Sequence, residues 1–427
     1  MNIAPQNSWS SKRLKYLATI NDESLPESTA PDSEISYIDI GNVDSNGIID
    51  MPTVYRFADA PSRARRVVKN GDVIISTVRT YLQAIAPVES PPNNLIVSTG
   101  FAVIRPNPEH LNPNFCKYAL RESSFLAEVE KRSVGVSYPA INASELGEIL
   151  IKITSTELQH RIASFLDQET AHIDALIAAK ERMLALLAEK RQALITRAVT
   201  RGLDEGLEMK DSGVTWLGEV PGHWEVVQLK FVSNLIQTGP FGSQLHAEDY
   251  VSNGIPIINP VHLKNGKIKA NYEVTIDETT SVRLSNYLLL TDDIVFARRG
   301  ELGRCGIVES SMEGWLCGTG SILVRLKKAK MNPQYLTFLF DGTGASELLK
   351  LKSVGSTMDN LNTEILGNFY VPTPEIMEQQ QIVTYIENQT VQLNALRTST
   401  EHTISLLRER RSALIAAAVT GQVLITE

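Results

Sequence analysis

Two stretches of the chain carry apolar residues at alternating three- and four-residue steps. The first runs Leu166, Ile173, Leu176, Met183, Leu187, Leu194, and the second runs Ile386, Leu393, Leu396, Thr403, Leu407, Leu414. Both lie in proline-free sequence rich in Ala, Leu, Glu, Arg and Lys, which predicts long helices with one apolar seam each. A helix of about 44 residues is about 66 Å long at 1.5 Å per residue, and a single stripe of that length needs a partner. The two copies are therefore expected to pair as an antiparallel coiled coil with one globular domain at each end. Two unrelated core helices would give the same local pattern.

The repeat argues against that second possibility. At an offset of 220, Ile162 answers Ile382, Phe165 answers Tyr385, Thr170 answers Thr390, and Ala198-Val199-Thr200 answers Ala418-Val419-Thr420. Fainter matches extend upstream: Trp9 and Leu14-Lys15-Tyr16 against Trp224 and Leu229-Lys230-Phe231, Gly71-Asp72-Val73 against Asp292-Asp293-Ile294, Thr99-Gly100 against Thr319-Gly320, Asn142 against Asn362. The chain divides into 1–155 (first domain), 156–203 (central helix), 204–375 (second domain) and 376–427 (distal helix). Short β-branched runs bounded by Gly, Pro and Asn predict strands at 36–40, 73–78 and 101–106, and again at 255–259, 293–298 and 321–326. One helix per domain is expected to start at Asn112-Pro113 or Asn332-Pro333, with Asn as the cap and Pro at the first helical position. The fold class is mixed α/β with pseudo-twofold organisation.

Composition narrows the function. With 427 residues, 43% of them hydrophobic, the chain can build several cores and is not disordered. No apolar run approaches the roughly 20 residues that span a bilayer, and residues 1–15 lack an apolar signal-peptide core, so a cytoplasmic protein is expected. Cys116, Cys305 and Cys317 are too few and too scattered for a disulfide framework or a zinc site. There is no P-loop, nucleophile elbow, kinase set or metal cluster. Asn112-Pro113-Asn114-Phe115 and Asn332-Pro333-Gln334-Tyr335 look superficially like the Asn-Pro-Pro-aromatic loop of amino-methyltransferases, but the third position is wrong and helix capping explains both. No Gly-rich loop follows an early strand to hold S-adenosylmethionine. Two similar domains on a rigid spacer, without a catalytic constellation, fit a binding protein that reads two half-sites of a duplex.

The segment DSGVTWLGEVPGHWEVVQLKFV (211–232) and the repeated tails ELQHRIASFLDQET…EKRQALITRAVTRGL resemble the specificity (S) subunit of bacterial and archaeal type I restriction–modification enzymes. The resemblance covers nearly the whole chain in the same order of parts, although the first half lacks the full SGxxWLGxxPxHW opening and starts only near Trp9. It implies two target-recognition domains, each reading half of a split sequence in double-stranded DNA, with the helices setting the gap. It further implies two methyltransferase (M) subunits that methylate adenine, and restriction (R) subunits. S-adenosylmethionine, ATP and magnesium would be used by those partners, with no cofactor and no active site in this chain.

Base edges are read by Arg, Lys, Asn, Gln, Ser and Thr, and phosphates mainly by Arg and Lys. In the first domain the basic cluster is Arg63, Arg65, Arg66, Lys69 and Arg79, with Gln83 nearby. Residues 51–88 hold six Lys or Arg against two Asp, a local +4 within a domain that sums to −2. A second group is Lys131, Arg132 and Ser133, with Tyr138 beyond. In the second domain the candidates are Gln237, Ser243 and Gln244 around a Gly-Pro-Phe-Gly turn, Arg298, Arg299 and Arg304 just after a strand, and Lys352, Ser353, Ser356 and Thr357 in the loop equivalent to 132–137. Each arginine alone could be an ordinary solvated charge; loops at equivalent places in both halves carry more weight. Asp72 and Asp293 are expected to stabilise turns rather than bind metal.

The net charge of −8 leaves open a two-headed coiled-coil scaffold that binds proteins and not DNA. A self-sufficient methyltransferase or nuclease has no motif behind it. The charge is uneven: residues 204–375 alone sum to −6. The expectation is a chain that binds DNA weakly by itself and selects sequence for its partners.

Overall fold

The computed structural model describes residues 9–44, 47, 49–264, 266–269, 271–341, 343–353 and 360–423. It divides into two compact units, Met1–Glu181 with Glu401–Glu427, and Arg182–Thr400. The central helix, Thr156–Arg201, gives its first half to the first unit and its second half to the second; the distal helix, Ile376–Val419, does the reverse.

The first unit holds an antiparallel sheet in the order Ala18–Ile20, Phe101–Pro106, Val73–Ser76, Ile85–Pro87. A second sheet runs Thr53–Arg56, Glu34–Ile38, Leu95–Ser98, Ala64–Val67, its middle pair parallel. The second unit repeats the first of these sheets and the parallel pair of the other. Its antiparallel sheet is ordered Ser233–Thr238, Ser321–Leu326, Ile294–Ala297, Cys305–Ile307. Its other sheet is ordered Tyr250–Val251, Thr275–Ile276, Ile255–Ile258, Leu316–Cys317, with Ile255–Ile258 and Leu316–Cys317 parallel. The uninterrupted apolar runs have a physical reason: the first sheet is buried on both faces. Alternation sends Val73, Ile75, Ala102 and Ile104 into the core shared with the long helices, and Ile74, Phe101 and Val103 into a separate core. Ile294, Phe296, Ile322 and Val324 part from Val295, Ala297 and Leu323 in the same way.

The strands expected at 101–106 and 321–326 occur as Phe101–Pro106 and Ser321–Leu326. The run at 36–40 occurs as Glu34–Ile38, and Asp39 ends it by accepting the Ile40 N–H at 2.8 Å. Asn112 caps Pro113–Ala119 through the Phe115 N–H at 3.0 Å, and Asn332 caps Pro333–Asp341 through the Tyr335 N–H at 3.1 Å. Each domain holds more helix than the one expected: Ser123–Arg132 and Ala143–Gly147 in the first, Glu278–Arg283, Thr343–Ser353 and Thr363–Gly367 in the second.

Each long helix is fastened to its domain by a buried glutamine. Gln159 accepts the Asn112 N–H at 2.8 Å and donates to the carbonyls of His110 and Thr154 at 3.0 and 2.8 Å. Gln379, 220 positions on, accepts the Asn332 N–H at 2.8 Å and donates to Lys330 and Pro374 at 2.9 and 2.8 Å. Both amides are fully used, so burial leaves nothing unpaired. The far end of the other helix completes each core. Ile415, Ala418 and Val419 join Ile162, Ala163 and Leu166 in the first unit; Ile195, Ala198 and Val199 join Ile382, Val383 and Ile386 in the second.

The long helices pack together as an antiparallel pair. Within the first unit Arg411 pairs with Asp174 and Arg408 with Glu181, each at 2.9 Å. The expected seam is corrected at two positions. Leu166, Ile173 and Ile386 are buried, and Met183, Leu187, Leu194, Leu393, Leu407 and Leu414 are half-buried. Leu176 and Leu396, by contrast, are 52% and 43% exposed. At about 100° per residue, Leu176 and Leu396 lie about 80° round the helix from Leu166 and Ile386 and so leave the inward face. It follows Thr170, Ile173 and Ile177 on one helix and Thr390, Thr400 and Ile404 on the other. The seam threonines keep their hydroxyls satisfied by donating to the carbonyl four residues back: Thr170 to Leu166 at 2.6 Å, Thr390 to Ile386 at 2.7 Å, Thr400 to Leu396 at 2.8 Å.

Among the described residues no helix is long and apolar enough to cross a membrane, and no cluster of His, Cys, Asp and Glu could hold a metal ion. Cys116, Cys305 and Cys317 are buried free thiols; burial pushes the Cys317 thiol up to about 12. Asp72 and Asp293 are turn-builders. Asp72 accepts the Lys69 N–H at 2.7 Å and a two-pronged contact from Arg105 at 2.9 Å on each prong. Asp293 accepts the Leu290 N–H at 2.7 Å and Arg325 at 2.8 and 2.7 Å.

Candidate nucleic-acid interface

A loop at the end of the central strand of each main sheet is built twice on one frame. In the first domain the Thr77 N–H donates to Gly100 at 2.8 Å, and Ile141 donates to the Thr77 carbonyl at 2.9 Å. In the second the Arg298 N–H donates to Gly320 at 2.9 Å, and Leu361 donates to the Arg298 carbonyl at 2.9 Å. The loops 77–83 and 298–304 therefore hold equivalent places and carry different side chains.

In the first domain the loop makes a short 3-10 turn, Thr80–Leu82, flanked by Arg79 and Gln83 at φ of 54° and 49°. Left-handed backbone is costly for residues with a Cβ and marks positions fixed by their surroundings. The Arg79 guanidinium lies over the Tyr138 ring at 5.1 Å. The Thr80 hydroxyl meets that of Ser133 at 3.0 Å, and Val134 bridges to Ala140 across the Gly135 turn. Arg79, Ser133 and Tyr138 are thus brought together, whereas Gln83 lines a cavity with Arg121, Asp174 and Arg411. The Arg63 carbonyl accepts the Thr99 N–H at 2.8 Å. The rest of the basic cluster is drawn elsewhere. Lys69 pairs with Glu23, Arg66 reaches the Ser24 hydroxyl at 3.2 Å, and Arg65 donates to its neighbour Ala64 at 2.9 Å and covers Phe57. Lys131 and Arg132 share one carboxylate, Glu128, at 3.2 and 3.0 Å. Tyr81, Leu82, Val134 and Val136 lie exposed at this loop pair, and no sequence signal marks them, because the left-handed backbone at Arg79 and Gln83 shows only in the folded chain.

In the second domain Arg298 and Arg299 stand at the loop start. Burial lowers the Arg298 guanidinium below its ordinary range, with Arg299 adding to the effect. Arg304 is committed to holding the loop: it donates to the Pro260 carbonyl at 2.9 Å and pairs with Glu301 at 3.1 Å. Gln237 is a half-buried strand residue paired with Leu323. Ser243 is exposed, and Gln244 binds the Tyr287 hydroxyl at 3.0 Å. Ser356 and Thr357, and the side chains of Lys352 and Ser353, lie outside the described residues.

The profile of the type I restriction modification DNA specificity domain matches residues 6–184 and again 221–404. The chain belongs to this family. A specificity subunit of the EcoBI enzyme from Escherichia coli is 22% identical over 341 residues, which is 74% of this chain and 69% of that protein. The MjaVIII specificity subunit from Methanocaldococcus jannaschii is 24% identical over 276 residues, 64% of this chain and 62% of that protein. Among solved structures, a chain from work on the assembly and conformational transition of the type I R-M system superposes with a TM-score of 0.78 at 22% identity, covering 99% of this chain and all of that one. The HsdS subunit from Thermoanaerobacter tengcongensis gives 0.53 at 22% identity, covering 99% of each. As a member of the family the chain is a type I specificity subunit, and the expected order of two domains and two helices is that of the family fold.

Proposed function

We propose that this specificity subunit reads a split DNA target, one half-site with each domain, and positions two adenine methyltransferase subunits and the restriction subunits on it. The observation that carries the reading is the loop built twice: one backbone frame presents Arg79, Tyr81 and Gln83 in one domain and Arg298 and Arg299 in the other. A shared frame with different polar side chains is what two readers of different short sequences require. Two equivalent docking places for a repeated partner have support as well. Leu176 and Leu396, and Leu186 and Leu406, are exposed helix residues each 220 positions apart. Each unit carries one leucine pair, Leu176 with Leu406 and Leu186 with Leu396. S-adenosylmethionine, ATP and magnesium would be bound by the partner subunits, and the chemistry done there.

The test is co-expression with the cognate methyltransferase subunit and mapping of methylated adenine across a genome. A motif of two short words with a fixed gap is expected. A single uninterrupted word, or no methylation that depends on this chain, would refute the reading.

A further inference from the structure

In the second unit the domain is latched to the central helix by an ion pair. Arg191 reaches Asp341 through both terminal nitrogens at 3.1 and 3.2 Å, and Gln192 donates to the Asp341 carbonyl at 2.9 Å. In the first unit Arg411 and Ser412 stand where Arg191 and Gln192 stand, but Arg121 replaces the aspartate. A cavity of about 770 Å3 opens there, lined by Arg121, Arg408, Arg411 and Ser412. Arg408 and Arg411 are answered by Glu181 and Asp174, whereas among the described residues Arg121 makes no ion pair. Its Nη2 donates to the Ile85 carbonyl, and its buried Nε has no partner. Burial and Arg411 push its guanidinium down to about 10. The arginine is nonetheless accommodated by design of the backbone. Gly47, at φ of 82°, lies so close that a Cβ there would overlap the guanidinium.

A largely buried cation with no ion-paired carboxylate is costly; three guanidiniums line the cavity against two carboxylates, and Asp44 and Asp174 act on Arg121 as weaker influences than burial and Arg411. Ile85, Leu126 and Ile177 form an apolar wall of the same cavity, whose size suits a small organic molecule. We propose that this cavity binds a small organic anion, with its phosphate or carboxylate between Arg121 and Arg411 and its apolar body on Ile85, Leu126 and Ile177. The site takes the charge that Asp341 supplies covalently in the other half, and Gln83 of the loop 77–83 also lines it.

Calorimetric titration of the full chain with phenyl phosphate, inorganic phosphate and citrate tests it. Phenyl phosphate is expected to bind at least tenfold more tightly than inorganic phosphate. Arg121→Asp is expected to abolish binding of all three while holding or raising the thermal midpoint, because it recreates the pairing seen at Asp341. Arg191→Ala, in the other unit, is expected to leave the affinities unchanged. Leu126→Trp fills the apolar wall and keeps all three arginines, so it should weaken phenyl phosphate more than inorganic phosphate. No heat with any probe at millimolar concentration, unchanged binding in Arg121→Asp, or equal losses in Leu126→Trp would overturn the proposal.

Discussion

Arg121 and Asp341 occupy equivalent positions in their domains and carry opposite charges. Around them the two halves agree closely: Asp72 with Arg105 answers Asp293 with Arg325, and Gln159 answers Gln379. The agreement lies in buried groups whose every polar atom is spoken for, where a change leaves a partner stranded. The disagreement lies where a side chain faces a cavity or solvent. Duplicated sequence thus keeps its interior grammar and frees its junctions and loops to diverge.

Breaking the shared framework should cost most, and unequally. Asp293→Ala leaves Arg325 with one carbonyl at 3.4 Å, whereas Asp72→Ala leaves Arg105 with Asp22 and Glu23 at 2.8 and 3.1 Å. Loss of a buried partner costs about 3–5 kcal/mol, so Asp293→Ala should approach that range and Asp72→Ala fall below it in chemical denaturation. Gln159→Ala and Gln379→Ala each strand three backbone groups and should each cost about 3 kcal/mol. A loss confined to one of the pair would show that the fastening is not equivalent. Arg79→Ala should weaken the first half-site about tenfold and leave the second untouched, and Arg299→Ala the converse, on the scale of one direct base or phosphate contact. Methylation mapping reads this, and equal loss at both half-sites would signal failed assembly instead. The smallest effect sharpens the contrast at the junctions. Arg191→Ala removes a partly exposed ion pair worth about 1 kcal/mol, while Arg411→Ala loses the Asp174 contact but relieves Arg121 and should be nearly neutral by thermal unfolding.

Much of this was legible in the sequence because it depends on period and repetition. The long helices, the buried strands at 101–106 and 321–326, and the caps at Asn112 and Asn332 follow from local pattern. The apolar pattern misplaces the seam at Leu176 and Leu396 because a leucine at three-residue spacing from Ile173 or Leu393 still stands about 80° round the helix from Leu166 or Ile386. The second sheets were hidden by strands as short as Thr275–Ile276, where tertiary pairing and not propensity decides. The ion pairs of Lys69, Lys131 and Arg132 and the hydrogen bond of Arg66 were not legible, because their carboxylate or hydroxyl partners are recognised only once the chain is folded. Nothing local in the sequence marks Arg121, since its significance rests on Arg411, 290 residues away.

The exchange of helix ends between units sets an order in time. Leu166 and Ile415 share one core, yet at 5–20 residues per second a ribosome needs roughly 10–50 s to travel between them. The unit that is begun first is therefore the last to be sealed. Its exposed apolar face, next to Ile162 and Leu166, must be kept from strangers while the whole of the second domain is made. A stall or a break anywhere in that interval leaves the earlier domain, not the later one, without its cover.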